Sequence, residues 1–168
     1  ASTFKIANSL IALELGVVAD NNEIIPYGGE PQPIQAWEND MTLGEAFAVS
    51  NVPVFQEIAR RVGLARYSEY LADLDYGNGA LGTEGDRCWL AGPLEISAVD
   101  QVRFLSLLAQ KQLPLSDRTQ DLVQDIARIE TKDGAVLYGK TGWTTAPEPD
   151  IGWFVGWVVR DDGIYAFA

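Results

Sequence analysis

Residues 151–168 read IGWFVGWVVRDDGIYAFA. In the first half Ile151, Trp153, Val155, Trp157 and Val159 alternate with Gly152, Phe154, Gly156 and Val158, a two-residue period that specifies a strand. DDG at 161–163 then separates this run from IYAFA, as a tight hairpin requires. The odd-numbered residues make one buried apolar stripe, while Gly152 and Gly156 on the other face predict close packing by another element. Immediately upstream, AVLYGKTGW (135–143) also alternates after KDG, so the chain closes in antiparallel strands.

Further toward the N-terminus the period changes. SAVDQVRFLSLLAQKQ (97–112) and SDRTQDLVQDIARIET (116–131) each open on a serine cap, carry early acids and place apolar residues every three to four positions, which predicts two helices. DYGNGALGTEGD (75–86) is a glycine-rich loop and ARYSEYLADLD before it a short helix. Pro53 is welcome in a first turn and not mid-helix, so residues 42–62 read as two helices broken at Ser50–Val52. Residues 19–40, rich in Asn, Pro and Gly, read as a long loop. A first helix runs from about Thr3, capped by Ser2, with Gly16 in its last turn. Helices first and strands last predict an α+β architecture, a mainly helical region over 1–132 and antiparallel strands over 133–168.

The 168 residues suffice for one domain or two small lobes, and 47% hydrophobic content with five tryptophans supplies a core. A net charge of −12 repels phosphate backbones, which argues against nucleic acid and anionic membranes as partners. The longest apolar run falls well short of the ~20 residues that span a bilayer. There is no histidine and Cys88 is the single cysteine, which argues against a zinc site and leaves Cys88 as a buried, inert thiol.

Without histidine, a serine nucleophile needs another base. Lys5 follows Ser2 by three residues, one helical turn, and Ser2 at a helix start has free backbone N–H groups and the positive dipole end beside it to stabilise an oxyanion. That dipole and burial against Phe4 and Ile6 disfavour the ammonium form of Lys5, so a neutral amine at pH 7 is expected. Ser50-Asn51-Val52 offers a second hydroxyl, and Lys140-Thr141-Gly142 a cation and a glycine facing the same side of a strand. Each alone has an ordinary structural reading: a capped helix, another cap, a lysine before a turn. Their occurrence together, in this order, points to serine acyl-transfer chemistry.

The chain resembles the class D, oxacillinase-type serine β-lactamases in STFK (2–5), SNV (50–52), YGN (76–78), WLAGPLEIS (89–97) and KTGW (140–143). Class A enzymes match less well, their second motif being SDN. The resemblance implies a helical domain packed on an antiparallel sheet domain. It also implies hydrolysis of β-lactams through an acyl-enzyme on Ser2, with Lys5 carboxylated by carbon dioxide as general base. By the same resemblance Val52 lines the carbamate pocket and Trp89 donates its indole N–H there. Ser50 and Lys140 deliver the proton to the leaving nitrogen, the N–H groups of Ser2 and Trp143 bind the oxyanion, and Thr141 and Gly142 meet the substrate. Tyr76 and Asn78 shape the site edge. The resemblance implies no metal and a periplasmic or secreted location.

Family members carry strands before the serine helix and a further strand and helix beyond position 168. The resemblance therefore implies an internal piece whose sheet is incomplete, with exposed strand edges and with the arginine that grips the substrate carboxylate outside it. Ala7 stands where the family commonly has proline, and Cys88 where an aromatic often precedes the tryptophan. Alternatives are a β-lactam sensor domain that is acylated without turnover, a penicillin-binding transpeptidase and an inactive fragment.

Overall fold

In the computed structural model, which describes residues 1–145 and 149–168, a helical layer lies against one face of a four-stranded antiparallel meander. Helix α1 (Lys5–Glu14) is the centre, every residue from Lys5 to Leu13 being buried, as befits a helix packed on all sides. It ends where Gly16, at φ 66°, donates to the Leu13 carbonyl and Val17 to that of Ala12, the paired bonds of a glycine-terminated helix. Ser2 is not its cap: Ser2–Phe4 form a 3-10 turn closed by Phe4 N–H to the Ala1 carbonyl, and no side chain caps α1.

Residues 19–40 are loop apart from Ile24–Ile25 (β1), paired with Met41–Thr42 (β2), and a short 3-10 turn at Gln35–Trp37. A reciprocal Thr42–Glu45 capping box then starts α2 (Leu43–Ala48). After the expected break comes α3 (Val52–Val62), capped by the Asn51 side chain accepting from Val54 N–H. Helix α4 (Leu64–Asp73) follows, and the glycine-rich loop leads to α5 (Ala98–Ala109) and α6 (Asp117–Ala127), capped by Ser97 and Ser116 as the sequence predicts.

The last predicted helix is cut short. It stops at Ala127, and Arg128–Lys132 form strand β3, so the sheet begins five residues before the expected boundary at 133. The cause lies downstream: Asp133 and Gly134 both have positive φ (50° and 78°), the mirror-image turn that favours a two-residue hairpin, and this turn draws the preceding residues into the ladder. Strands β4 (Ala135–Thr144), β5 (Ile151–Arg160) and β6 (Gly163–Phe167) complete the order β3-β4-β5-β6.

Of the predicted stripe on β5, Val155 and Trp157 are fully buried, with Trp157 stacked on Tyr138 (centroids 4.8 Å apart, planes at 7°), whereas Ile151 at the strand end is exposed. The glycine expectation needs correction. Nothing lies near Gly152, and a Cβ at Gly156 would come within 2.0 Å of the Tyr138 carbonyl oxygen on the neighbouring strand of the same sheet. On the face turned from the helices the Phe154 and Phe167 rings meet at 5.2 Å, with Tyr165 exposed beside them.

Candidate active site

The 3-10 turn places Ser2 and Lys5 together: Lys5 Nζ lies 2.9 Å from Ser2 Oγ. Lys5 is fully buried, with its amine over the Phe55 ring of α3, 5.3 Å from the centroid. Burial, and then the positive charge of Lys140, lowers its pKa from 10.5 to about 7. The amine therefore loses its proton near neutrality, as the sequence predicts.

Strand β4 brings the second cation. Lys140 and Gly142 face the helical layer, as their alternation requires, and a Cβ at Gly142 would lie 3.1 Å from Thr3 N and 3.0 Å from Thr3 Cγ2. Glycine is thus what lets β4 run against the turn carrying Ser2. Lys140 Nζ donates to the Thr141 carbonyl (3.1 Å), lies 3.5 Å from Thr141 Oγ1, and sits over the Phe47 ring of α2 at 5.7 Å. Burial lowers this amine to about 8. The side chains of Thr141 and Trp143 alternate to the exposed side, and Trp143 donates its indole N–H to Asp150 (3.1 Å).

Ser50 occupies the junction of α2 and α3 between these two rings in sequence, half-buried, at φ 56°. Val52 opens α3, also half-buried. Tyr76 and Asn78 tie the glycine-rich loop to its neighbours. The Tyr76 ring packs edge-on against Phe4 and Phe104, and burial pushes its hydroxyl pKa up. Asn78 donates to the Pro93 carbonyl (2.8 Å) and accepts from the N–H groups of Ala80 (3.1 Å) and Glu95 (3.0 Å). Between them Gly77, at φ 57°, abuts the Glu95 carbonyl, only 2.1 Å from where a Cβ would stand.

Trp89 is buried and stacks on Phe4 (5.2 Å), and its Nε1 has no partner among the described residues. Cys88 before it is buried, with its thiol pushed up to about 11, chiefly by burial. A cavity of about 900 Å³ opens here, lined by Thr3, Asn78, Trp89, Ile96, Ile151 and Trp153 among others.

Several groups around this site escape sequence reading. Phe47 and Phe55 read only as apolar helix positions, yet each carries a lysine on its face. Gln101 is buried and donates to Thr3 Oγ1 (3.1 Å), bracing the turn from behind; a polar residue on the apolar side of the α5 pattern was the available signal.

The lysine pair sets a pH dependence of stability. The unfolded chain keeps both protons until near 10.5, whereas the folded chain releases them near 7 and 8, so above about pH 7 the unfolded state binds more protons and stability rises with pH. Cys88 acts oppositely above 9, its thiol holding its proton longer in the folded state. Urea midpoints in buffer freed of carbon dioxide should therefore climb between pH 7 and about 9; a flat or falling series would contradict buried, unpaired lysines.

Helices layered on an antiparallel meander, with a Ser-x-x-Lys turn held against a Lys-Thr-Gly strand, define the penicillin-binding class of fold. Residues 1–168 match the penicillin binding protein transpeptidase domain. Within that class the chain belongs to the class D β-lactamase family. It is 46% identical to FUS-1 (OXA-85), a class D β-lactamase from Fusobacterium nucleatum subsp. polymorphum, with a TM-score of 0.95 over 99% of this chain and 70% of that one. The class D enzyme YbXI from Nostoc gives 43% identity and a TM-score of 0.96, over 99% and 71%. β-Lactamase OXA-48 of Klebsiella pneumoniae is 44% identical over the whole chain, which spans 63% of that protein's length.

Proposed function

We propose that this protein hydrolyses β-lactams through an acyl-enzyme on Ser2, with Lys5, carboxylated by carbon dioxide, carrying the general base. The observation that supports it most is the buried Lys5 amine, 2.9 Å from Ser2 Oγ, without an ion-pair partner among the described residues and with a pKa of about 7.

The surroundings fit the carboxylated form. Only a neutral amine adds carbon dioxide, and the Lys5 amine is neutral above pH 7. Phe55 beneath it and Phe4 beside it in sequence are buried and apolar, and the orphan Trp89 N–H is a spare donor for a new anion; Val52, at the start of the helix that carries Phe55, is assigned to the same pocket in this reading. When bound, carbon dioxide supplies an oxygen base at the end of the Lys5 side chain.

Ser2 Oγ gives up its proton toward Lys5 and forms a bond to the lactam carbonyl carbon, whose oxygen takes the negative charge. Backbone N–H groups of Ser2 and Trp143 hold that oxyanion. The C–N bond then breaks, and Ser50, assisted by Lys140, passes the proton taken up at Lys5 on to the leaving nitrogen, which leaves Lys5 free to act as base again. In the second half a water loses its proton toward Lys5 and attacks the acyl carbon, and the ester C–O bond breaks as that proton returns to Ser2 Oγ. Gly142 keeps the strand close, Thr141 meets the substrate carboxylate, and Tyr76 and Asn78 hold the loops that wall the cavity. A periplasmic or secreted location belongs to the same reading.

The test is a time course of intact mass after adding a penicillin in bicarbonate buffer, with Ser2→Ala as control and product assayed in parallel. Serine-dependent product with a transient adduct, and a carbamate carbonyl signal from ¹³C-bicarbonate that disappears in Lys5→Ala, is the expected result. A lasting adduct without product would favour the sensor or transpeptidase reading, and no adduct and no product would overturn acylation at Ser2.

A further inference from the structure

Ser50 holds a left-handed backbone conformation, φ 56°, that residues other than glycine adopt uncommonly and keep only when their surroundings impose it. Relaxation to the ordinary helical region would swing its hydroxyl elsewhere. What imposes the conformation lies on both sides. On the N-terminal side the Val49 carbonyl accepts a hydrogen bond from the Trp37 indole (3.1 Å). On the C-terminal side Asn51, fully buried, donates to the Trp37 carbonyl (3.2 Å), contacts Met41 Sδ (3.4 Å) and accepts from Val54 N–H (3.0 Å). The backbone adds Ser50 N–H to Phe47 carbonyl (3.2 Å) and Asn51 N–H to Ala46 carbonyl (2.8 Å).

We propose that Trp37 and Asn51 form a brace that positions Ser50: one residue of a distant loop, bonded through its side chain to position 49 and through its carbonyl to position 51, clamps the peptide units flanking the serine. The brace rests on the role given to Ser50 above. Trp37 lies thirteen residues away, in the 3-10 turn Gln35–Trp37, and in this proposal it and Asn51 act on Ser50 through the backbone, as positioning residues. Trp37 uses one donor, to Val49, and one acceptor, from Asn51, so both peptide units beside Ser50 are tied to a single residue.

Two substitutions separate the brace from general packing. Trp37→Phe keeps an aromatic ring and removes the N–H; Asn51→Asp keeps the oxygen that caps α3 and removes the donor to Trp37. Each is expected to lower the acylation kcat/KM for a penicillin about 10-fold while changing it less than about 2-fold when Ser50→Ala is already present. Amide exchange at Ser50 and Asn51 should speed up about 10-fold in both variants, with exchange in α1 unchanged. Equal losses with and without the Ser50→Ala change, or unaltered exchange at Ser50 and Asn51, would overturn the brace. If Ser50→Ala alone leaves acylation intact, the catalytic role of Ser50 fails, and the exchange rates still decide whether the brace holds its backbone.

Discussion

Replacing Lys5 with alanine lowers turnover of a penicillin by about 10⁴-fold or more, the scale seen when one member of a nucleophile–base unit is removed. Ser2 Oγ has Lys5 Nζ at 2.9 Å, and the chain has no histidine to substitute for it. The surviving parts, the backbone N–H groups and Lys140, still bind and polarise, so a small residue of activity remains. With carbon dioxide limiting, activity of the intact protein should rise through about pH 7 as the Lys5 amine becomes neutral and able to be carboxylated, and fall through about pH 8 as Lys140 loses its charge; added bicarbonate should move the rise to lower pH. Steady-state assays of wild type and Lys5→Ala across roughly pH 5.5–9.5, with and without added bicarbonate, check both claims. More than about one per cent residual activity in the variant would remove Lys5 as the base.

The largest structural loss is expected at Trp157. The side chain is fully buried between the sheet and the helices and stacked on Tyr138, so Trp157→Ala should cost about 3–5 kcal/mol of unfolding free energy through lost burial and the cavity left behind. Trp157→Phe is the informative contrast. Trp157 Nε1 has no hydrogen-bond partner among the described residues, and removing a buried, unsatisfied donor recovers about 1–3 kcal/mol against the lost volume. Urea unfolding should therefore place the Trp157→Phe variant much nearer to wild type than the Trp157→Ala variant. A Trp157→Phe cost larger than the lost ring volume explains would mean that the indole N–H is satisfied in solution.

What could be read from the sequence was whatever a local period or cap encodes. The alternation at 151–159, the Ser97 and Ser116 caps and Pro53 at the start of α3 specified their elements without help from the rest of the chain. Arg128–Lys132 did not yield to this reading because every residue there is exposed, so burial left no alternation to see, and the deciding feature was the Asp133-Gly134 turn after it. At the site, the Ser2–Lys5 spacing survived although the expected cap did not, since a 3-10 turn also brings the two side chains together. The aromatic faces under the lysines, the Gln101–Thr3 bond and the Trp37–Asn51 brace join residues between 14 and 98 positions apart, or arise between different elements, and no period announces them.

Gly77, Gly142 and Gly156 stand where another backbone or the serine turn occupies the space a side chain would need. Sequence change therefore works on an uneven map. Ile151 on the cavity wall is exposed and can vary at little cost to the fold, but a first step at any of these three glycines leads downhill. Change in this chain is thus channelled: exposed parts of the cavity lining are free to vary, while the close approaches at these glycines are inherited almost unchanged.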